Sequence, residues 1–395
     1  MGKPPQAQPT GPRQAQRPRP HHRGMPPRQG APRASDPLPG LTDDLLTAFA
    51  DGREEFTRRE MPVGGLGPIF NNNSCASCHN QGGVGGGGVI TVTRFGLSSA
   101  EGFDPLADLG GSLLQVRSIH PAAREIIPID ANVVARRQTT PLFGLGLIEA
   151  IADETILAGV FDGKPDGVQG KAALVTDVTT GEERVGHFGW KGQHATLLAF
   201  SADAYLNEMG ITNRFFPEEN APNGRADVLA TYDTVADPED TTDPVTGKAD
   251  IDHSADFMRL LAPLQPRTLN AAATAGKALF ESVGCAVCHT PSMQTAVNDI
   301  AALSEKTVSL YSDLLLHDMG ALGDGIVQGN AGPHDIKTPP LWGVRASAPY
   351  LHDGRAPNLD RAIRMHDGEA VAARDRYNAL TPQQKQQLIS FLNSL

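Results

Sequence analysis

All four cysteines of the chain fall in two copies of one pattern, Cys75-Ala-Ser-Cys78-His79 and Cys285-Ala-Val-Cys288-His289. C-x-x-C-H is the attachment signature of c-type haem: two thioether bonds hold the porphyrin, and the adjacent histidine becomes the proximal iron ligand. A zinc or thiol reading would use the cysteine pairs and leave both histidines as coincidence. The expected cofactors are therefore two covalently bound haem c groups. They constrain the fold strongly, because the chain must wrap a large flat group twice.

At 395 residues the chain has room for two domains. Its 42 glycines and 31 prolines suit a loop-rich protein in which the cofactor supplies part of the core. No apolar run approaches the roughly 20 residues that a membrane span needs. Charge is unevenly placed. Residues 1–35 hold Lys3 and six arginines with no acid, which leaves 27 bases against 45 acids in the remainder. An acidic body argues against nucleic acid as a partner and allows docking of a small electron-donor protein, a cytochrome c or cupredoxin.

Residues 1–36, rich in Pro and Arg, are expected to form a disordered tail. This segment is basic but has no apolar stretch, so it does not read as a secretory signal. Haem c is attached outside the cytoplasm, and the motifs outweigh the terminus, so the expected location is periplasmic or otherwise extracytoplasmic.

The motifs sit in two similar surroundings. Leu41 to Phe56 and Ala271 to Ser282 read as helices leading into the cysteines, with Thr42 as N-cap of the first. Gly52-x-x-x-Phe56 matches Gly276-x-x-x-Phe280. Downstream, Thr140 to Gly144 matches Pro339 to Gly343, and Phe188 to Leu197 overlays Tyr350 to Leu359 without a gap. This self-similarity points to duplication. The expected fold is mainly α, with two cytochrome c-like domains at 37–250 and 251–395, joined by an acidic, turn-rich stretch at 236–252. About 37 extra residues between Leu142 and Leu197 give the first domain long loops and a small β insertion near Val175 to Val185.

Five segments carry a family resemblance: FNNNSCASCHNQGGVGGGG, TTPLFGLGLIEAI, FGWK with NEMGIT, YSDLLLHDMG, and TPPLWGVRASAPYLHDGRAPNLDRAIRMHDGEA. In these the chain resembles the dihaem c-type oxidoreductases described as peroxidases or thiol oxidoreductases, relatives of bacterial dihaem cytochrome c peroxidase. The resemblance covers most of residues 41–395. It implies an enzyme that reduces H₂O₂ at the N-terminal haem, with electrons relayed through the C-terminal haem. Two alternatives stay open: a dihaem electron carrier without catalysis, and an oxidase or oxygenase acting on an organic or protein substrate.

The resemblance also assigns residues. His366 stands where the relatives place the distal ligand of the electron-transfer haem, with Met365 and Met319 as alternatives. Trp190 matches the Trp between the haems, while Trp342 is expected to pack on the second haem. Glu208 matches the distal acid, and Phe200 stands where the peroxidases carry a Gln. Ser347 and Pro349 match a segment whose carbonyls bind Ca²⁺ in the relatives. In the internal overlay, His366 lies seven residues beyond Leu359, and seven beyond Leu197 is Ala204. Alanine cannot ligate iron, so the first haem is expected to be the reactive one unless Tyr205 or His120 closes it. His352 and Arg355 are candidate partners of the haem propionates, and His317 reads as a loop or core histidine.

Overall fold

In the computed structural model the described residues are 33–395. Residues 1–32 of the expected tail lie outside them. Residues 33–36 depart from that expectation, because Ser35 is buried and Asp36 exchanges backbone bonds with Arg33 (3.1 Å) and Ala262 (3.0 Å). Among the described residues no helix is long and apolar enough to cross a membrane.

Two crossed helix pairs form the frame. In the first, the Asp43–Thr57 helix packs on the Asp250–Leu260 helix. Thr42 caps its start by accepting from the Leu45 N–H (3.4 Å). Gly52 allows the close crossing, since a Cβ there would lie 2.3 Å from the His253 carbonyl oxygen. Phe257 then packs on Phe49 and Phe56, with ring centroids 5.2 and 4.7 Å away.

The second pair repeats this arrangement. The Ala271–Val283 helix crosses the Pro382–Leu392 helix at Gly276, whose added Cβ would lie 1.9 Å from Gln387 O. Phe280 meets Phe391 at 5.4 Å. Phe56 stands 6.2 Å from the His79 ring and Phe280 6.4 Å from the His289 ring. The Gly-x-x-x-Phe pattern thus gives one contact to the neighbouring helix and one to the haem motif in each half.

The division expected at 250/251 would separate the Asp250–Leu260 helix from its packing partner in the first half. Residues 233–249 and 262–270, on either side of that helix, carry no helix or strand. The acidic stretch before that helix, read as a linker or surface loop, is mostly exposed, but Asp240 in it is buried and accepts from the N–H groups of Asp250 (2.8 Å) and Ile251 (3.1 Å). Alongside the helices runs a four-strand arrangement that the sequence reading did not contain. Thr91–Ser99 pairs antiparallel with Val133–Gln138, and also with Gly102–Asp104 and Leu113–Leu114. The expected β insertion is present as the hairpin Leu174–Thr176 with Glu183–Val185.

Candidate haem sites

Each C-x-x-C-H segment borders its own cavity, of about 170 Å³ for the first motif and about 240 Å³ for the second. The histidines of the two motifs are held alike. His79 Nδ1–H donates to Thr140 O and His289 Nδ1–H to Tyr311 O, each at 3.0 Å, which leaves Nε2 of both rings available for a metal. Burial pushes both rings down to about 4, so each stays in the neutral form that a ligand needs. None of the four cysteines is in a disulfide. Burial lifts the thiols of Cys75 and Cys285 to about 12. Apolar surroundings, paired thiols and a fixed neutral imidazole are what an attached haem requires.

Beyond the proximal histidine, the first cavity is walled by the Leu197–Met209 helix, capped by Thr196 at the Ala199 N–H (3.2 Å). Phe200, Ala204, Glu208 and Met209 of this helix line the cavity, together with Met258. Glu208 Oε2 accepts from Asn71 Nδ2 (2.9 Å), and the Glu208 carbonyl accepts from the N–H groups of Asn71 and Asn72. Burial raises the Glu208 carboxyl above its ordinary value and outweighs the Asn71 bond, which lowers it. Tyr205 also lines the cavity, but its hydroxyl donates to Glu55 Oε1 (2.9 Å) and lies 3.2 Å from Ser254 Oγ. His120 is exposed and stacks on Tyr232 at 4.4 Å, away from this wall.

In the second cavity the corresponding wall carries an imidazole. Asn358 caps the Leu359–Arg364 helix, and His366 follows its end. His366 Nδ1–H donates to Ala362 O (2.9 Å), leaving Nε2 free, and burial lowers its pKa. His366 and His289 line the same cavity, and the charge of one acts on the other. Met319 also lines it, whereas Met365 is not among the lining residues. Two local features recur at overlaid positions. Phe188 bridges to His194 as Tyr350 does to Ala356, and the matched residues Thr196 and Asn358 both cap helices.

Trp190 lines both cavities, as do Gln138 and Thr139. Its Nε1–H donates to Gln138 O (2.8 Å), which fixes the indole to the end of the Val133–Gln138 strand. Trp342, expected on the second haem, packs in the large core beside Gly144 and is not among the lining residues. His352 lines the second cavity and meets the Trp190 ring edge-on at 6.2 Å, while Arg355 is exposed and pairs with Asp353. Arg94 and Arg137 in the first cavity and Arg374 in the second are better placed than Arg355 for carboxylates of a bound group. Ser347 and Pro349 line the second cavity as well. The Pro349 carbonyl accepts from Gln138 Nε2 (2.9 Å) and the Ala348 carbonyl from Gln81 Nε2, while Oε1 of both glutamines is buried without a partner.

The glycine run after the first motif packs against that motif. A Cβ at Gly88 would lie 2.1 Å from Cys78 O. Sequence reading missed Asn71, and it missed the partners of His317, which is a core histidine as read. His317 Nε2 lies 2.9 Å from Asp313 and Nδ1 2.7 Å from Glu369, with Cys288 Sγ at 3.7 Å. Burial alone would lower its pKa, but the bonds to Asp313, Cys288 and Glu369 prevail and push it up to about 12. The ring is thus held between two carboxylates beside the second motif. The adjacent Asp313 and the Y-S-D-L-L-L-H run were the available signal.

Residues 124–395 match a family model described as "Di-haem oxidoreductase, putative peroxidase". The first C-x-x-C-H precedes the matched segment. No curated protein matches the chain. Among solved structures, the chain is similar to the diheme peroxidase BthA from Burkholderia thailandensis, at 16% identity over 92% of this chain and 87% of that one, with a TM-score of 0.40. A hydrazine synthase of Kuenenia stuttgartiensis matches at 17% identity over 93% and 97% of the chains, with a TM-score of 0.39. A MauG-like protein associated with microbial copper homeostasis matches at 18% identity over 64% and 89%, with a TM-score of 0.34.

Proposed function

The chain belongs to the di-haem oxidoreductase family, and from that membership we propose that it is a dihaem c-type peroxidase that reduces H₂O₂ to water in the first cavity with electrons received through the second. The overall reaction consumes one H₂O₂, two electrons and two protons and yields two waters. In this reading Cys75 and Cys78 hold the first haem and Cys285 and Cys288 the second, with His79 and His289 as proximal ligands and His366 as the distal ligand of the second. A haem iron with an open position binds and reduces peroxide, whereas one with two strong protein ligands passes electrons.

One observation carries the reading. Where the second cavity presents His366, the first presents Ala204, with Glu208 one helical turn further on. Glu208 keeps a proton above the ordinary carboxylate range, and Asn71 fixes the orientation of its Oε2. A positioned acid/base of this kind moves a proton between substrate oxygens. Trp190, anchored to Gln138, stands between the two sites and supports electron passage from one to the other.

The arrangement of two domains from one duplicated unit, an extracytoplasmic location and a small donor protein belong to the same proposal. So does Ca²⁺ at Ser347 and Pro349, for which the unpartnered Gln81 and Gln138 oxygens supply further hard ligands. A second reading, an electron carrier, is favoured by Met209 and Met258, whose thioethers line the first cavity. Mixing the fully reduced holoprotein with one equivalent of H₂O₂ separates the two. The peroxidase reading expects rapid oxidation by two electrons, and a protein that stays reduced would contradict it.

A further inference from the structure

Away from both haem cavities, Glu219, Asp237 and Glu239 place their carboxylate oxygens within 4.8 Å of one another. Glu239 is only 7% exposed. Its Oε2 accepts from the Thr212 N–H (2.7 Å) and the Thr212 hydroxyl, but its Oε1 is buried with no partner. Glu219 Oε2 is likewise buried and unpartnered. Buried carboxylate oxygens ordinarily have donors, so two orphans in one cluster point to a missing positive group. The charges that act most strongly on Glu219 are Glu239, Asp237 and Asp233, all negative.

We propose that Glu219, Asp237 and Glu239 bind a divalent cation of the calcium type. The ligand set is all oxygen and carries several negative charges, which suits a hard cation and offers nothing to a thiophilic one. Asp237 is exposed, so the cluster opens to solvent and leaves room for water to complete the coordination shell. Protons are the competing occupants. Burial first, then the neighbouring acids, push Glu219 up to about 9, and burial pushes Glu239 up to about 7.

The position gives the cation a task. Thr212, which bonds both Asp237 (2.6 Å) and Glu239, follows three residues after the last residue of the Leu197–Met209 helix. That helix presents Ala204 and Glu208 to the first cavity and has no basic residue in its last turn. A cation beyond its C-terminus complements the negative end of the helix dipole. It also fastens the 212–219 segment to the 233–239 segment, and so holds the wall of the first cavity from outside. The site is separate from Ser347 and Pro349, which line the second cavity.

Calcium titration of chelator-stripped holoprotein, by calorimetry and equilibrium dialysis, tests this on the wild type, Asp237→Asn and Glu219→Gln/Glu239→Gln. Asp237 is exposed, so Asp237→Asn is expected to fold with unchanged haem spectra. Each variant should lose one bound Ca²⁺ per chain or weaken one site at least about tenfold. Calcium should also slow hydrogen exchange of the 210–212 amides in the wild type and not in Asp237→Asn. A wild type that binds no Ca²⁺ here, or an Asp237→Asn variant with the same stoichiometry and affinity, would overturn the proposal.

Discussion

His79 and His289 reach their cavities in the same way. Each follows a helix that crosses a partner at a glycine, each lies about 6 Å from a phenylalanine four residues beyond that glycine, and each spends Nδ1 on a backbone carbonyl. Opposite them the halves diverge. The Leu197–Met209 helix continues past the matched position with Ala204, whereas the Leu359–Arg364 helix stops and the chain delivers His366. The shared side is what any attached haem needs. In the proposed function the unshared side decides what each haem does, because the sixth position separates ligand binding from electron transfer. Under that proposal, divergence at one helix end is enough to give two similar sites different work.

The largest effect should come from the acid that only the first cavity has. Glu208→Gln is expected to slow the reaction with H₂O₂ by on the order of 10²-fold or more, measured by stopped flow, with the spectrum of the second haem unchanged. An unaffected rate would remove Glu208 from the chemistry. The pH profile sharpens this. Burial raises the folded pKa of Glu208, so the group keeps its proton at pH values where an ordinary carboxyl has lost it. Reactivity that needs that proton is therefore retained into this higher range and falls as pH rises through the raised value. Glu208→Gln should lack that alkaline limb.

A smaller change is expected from His366→Ala, which makes the second cavity resemble the first. Its haem should turn high-spin and its potential should change, while the first haem keeps its spectrum. No spectral change would hand the ligand role to Met319. Smaller still is the effect of filling the shared crossing. Helix propensity alone would favour Ala over Gly276 by about 1 kcal/mol. The added Cβ would nevertheless meet a backbone carbonyl at 1.9 Å that cannot step aside, and overpacking costs about 1–3 kcal/mol. Gly276→Ala should therefore lower the thermal midpoint, and Gly52→Ala, with its 2.3 Å contact, should do likewise in the other half. A gain in stability in either variant would break the claimed equivalence.

What the sequence disclosed was local in the chain. The haem motifs, the helices leading into them, the Thr42 cap and the 174–185 hairpin each follow from residues a few positions apart. What it hid depends on distant pairs. Asn71 acquires its role from Glu208, 137 residues away. The sheet joins Thr91–Ser99 to Val133–Gln138 across a long loop, and the acidic 236–252 stretch read as linker because composition does not reveal that Asp240 caps a helix and Glu239 faces other acids. His317 is the core histidine the sequence suggested, but one of its partners, Glu369, lies 52 residues away and is not legible there. The self-overlay was the exception, since it used one half to calibrate the other, and the matched bridges and caps agree with its register.

The inequality of the two sites is tested most directly by EPR and optical spectroscopy of the purified holoprotein in the oxidised and half-reduced states, with and without cyanide. The account predicts one low-spin iron that ignores cyanide and one high-spin iron that binds it and responds to H₂O₂. Two low-spin irons, with no response to either ligand in any redox state, would contradict it.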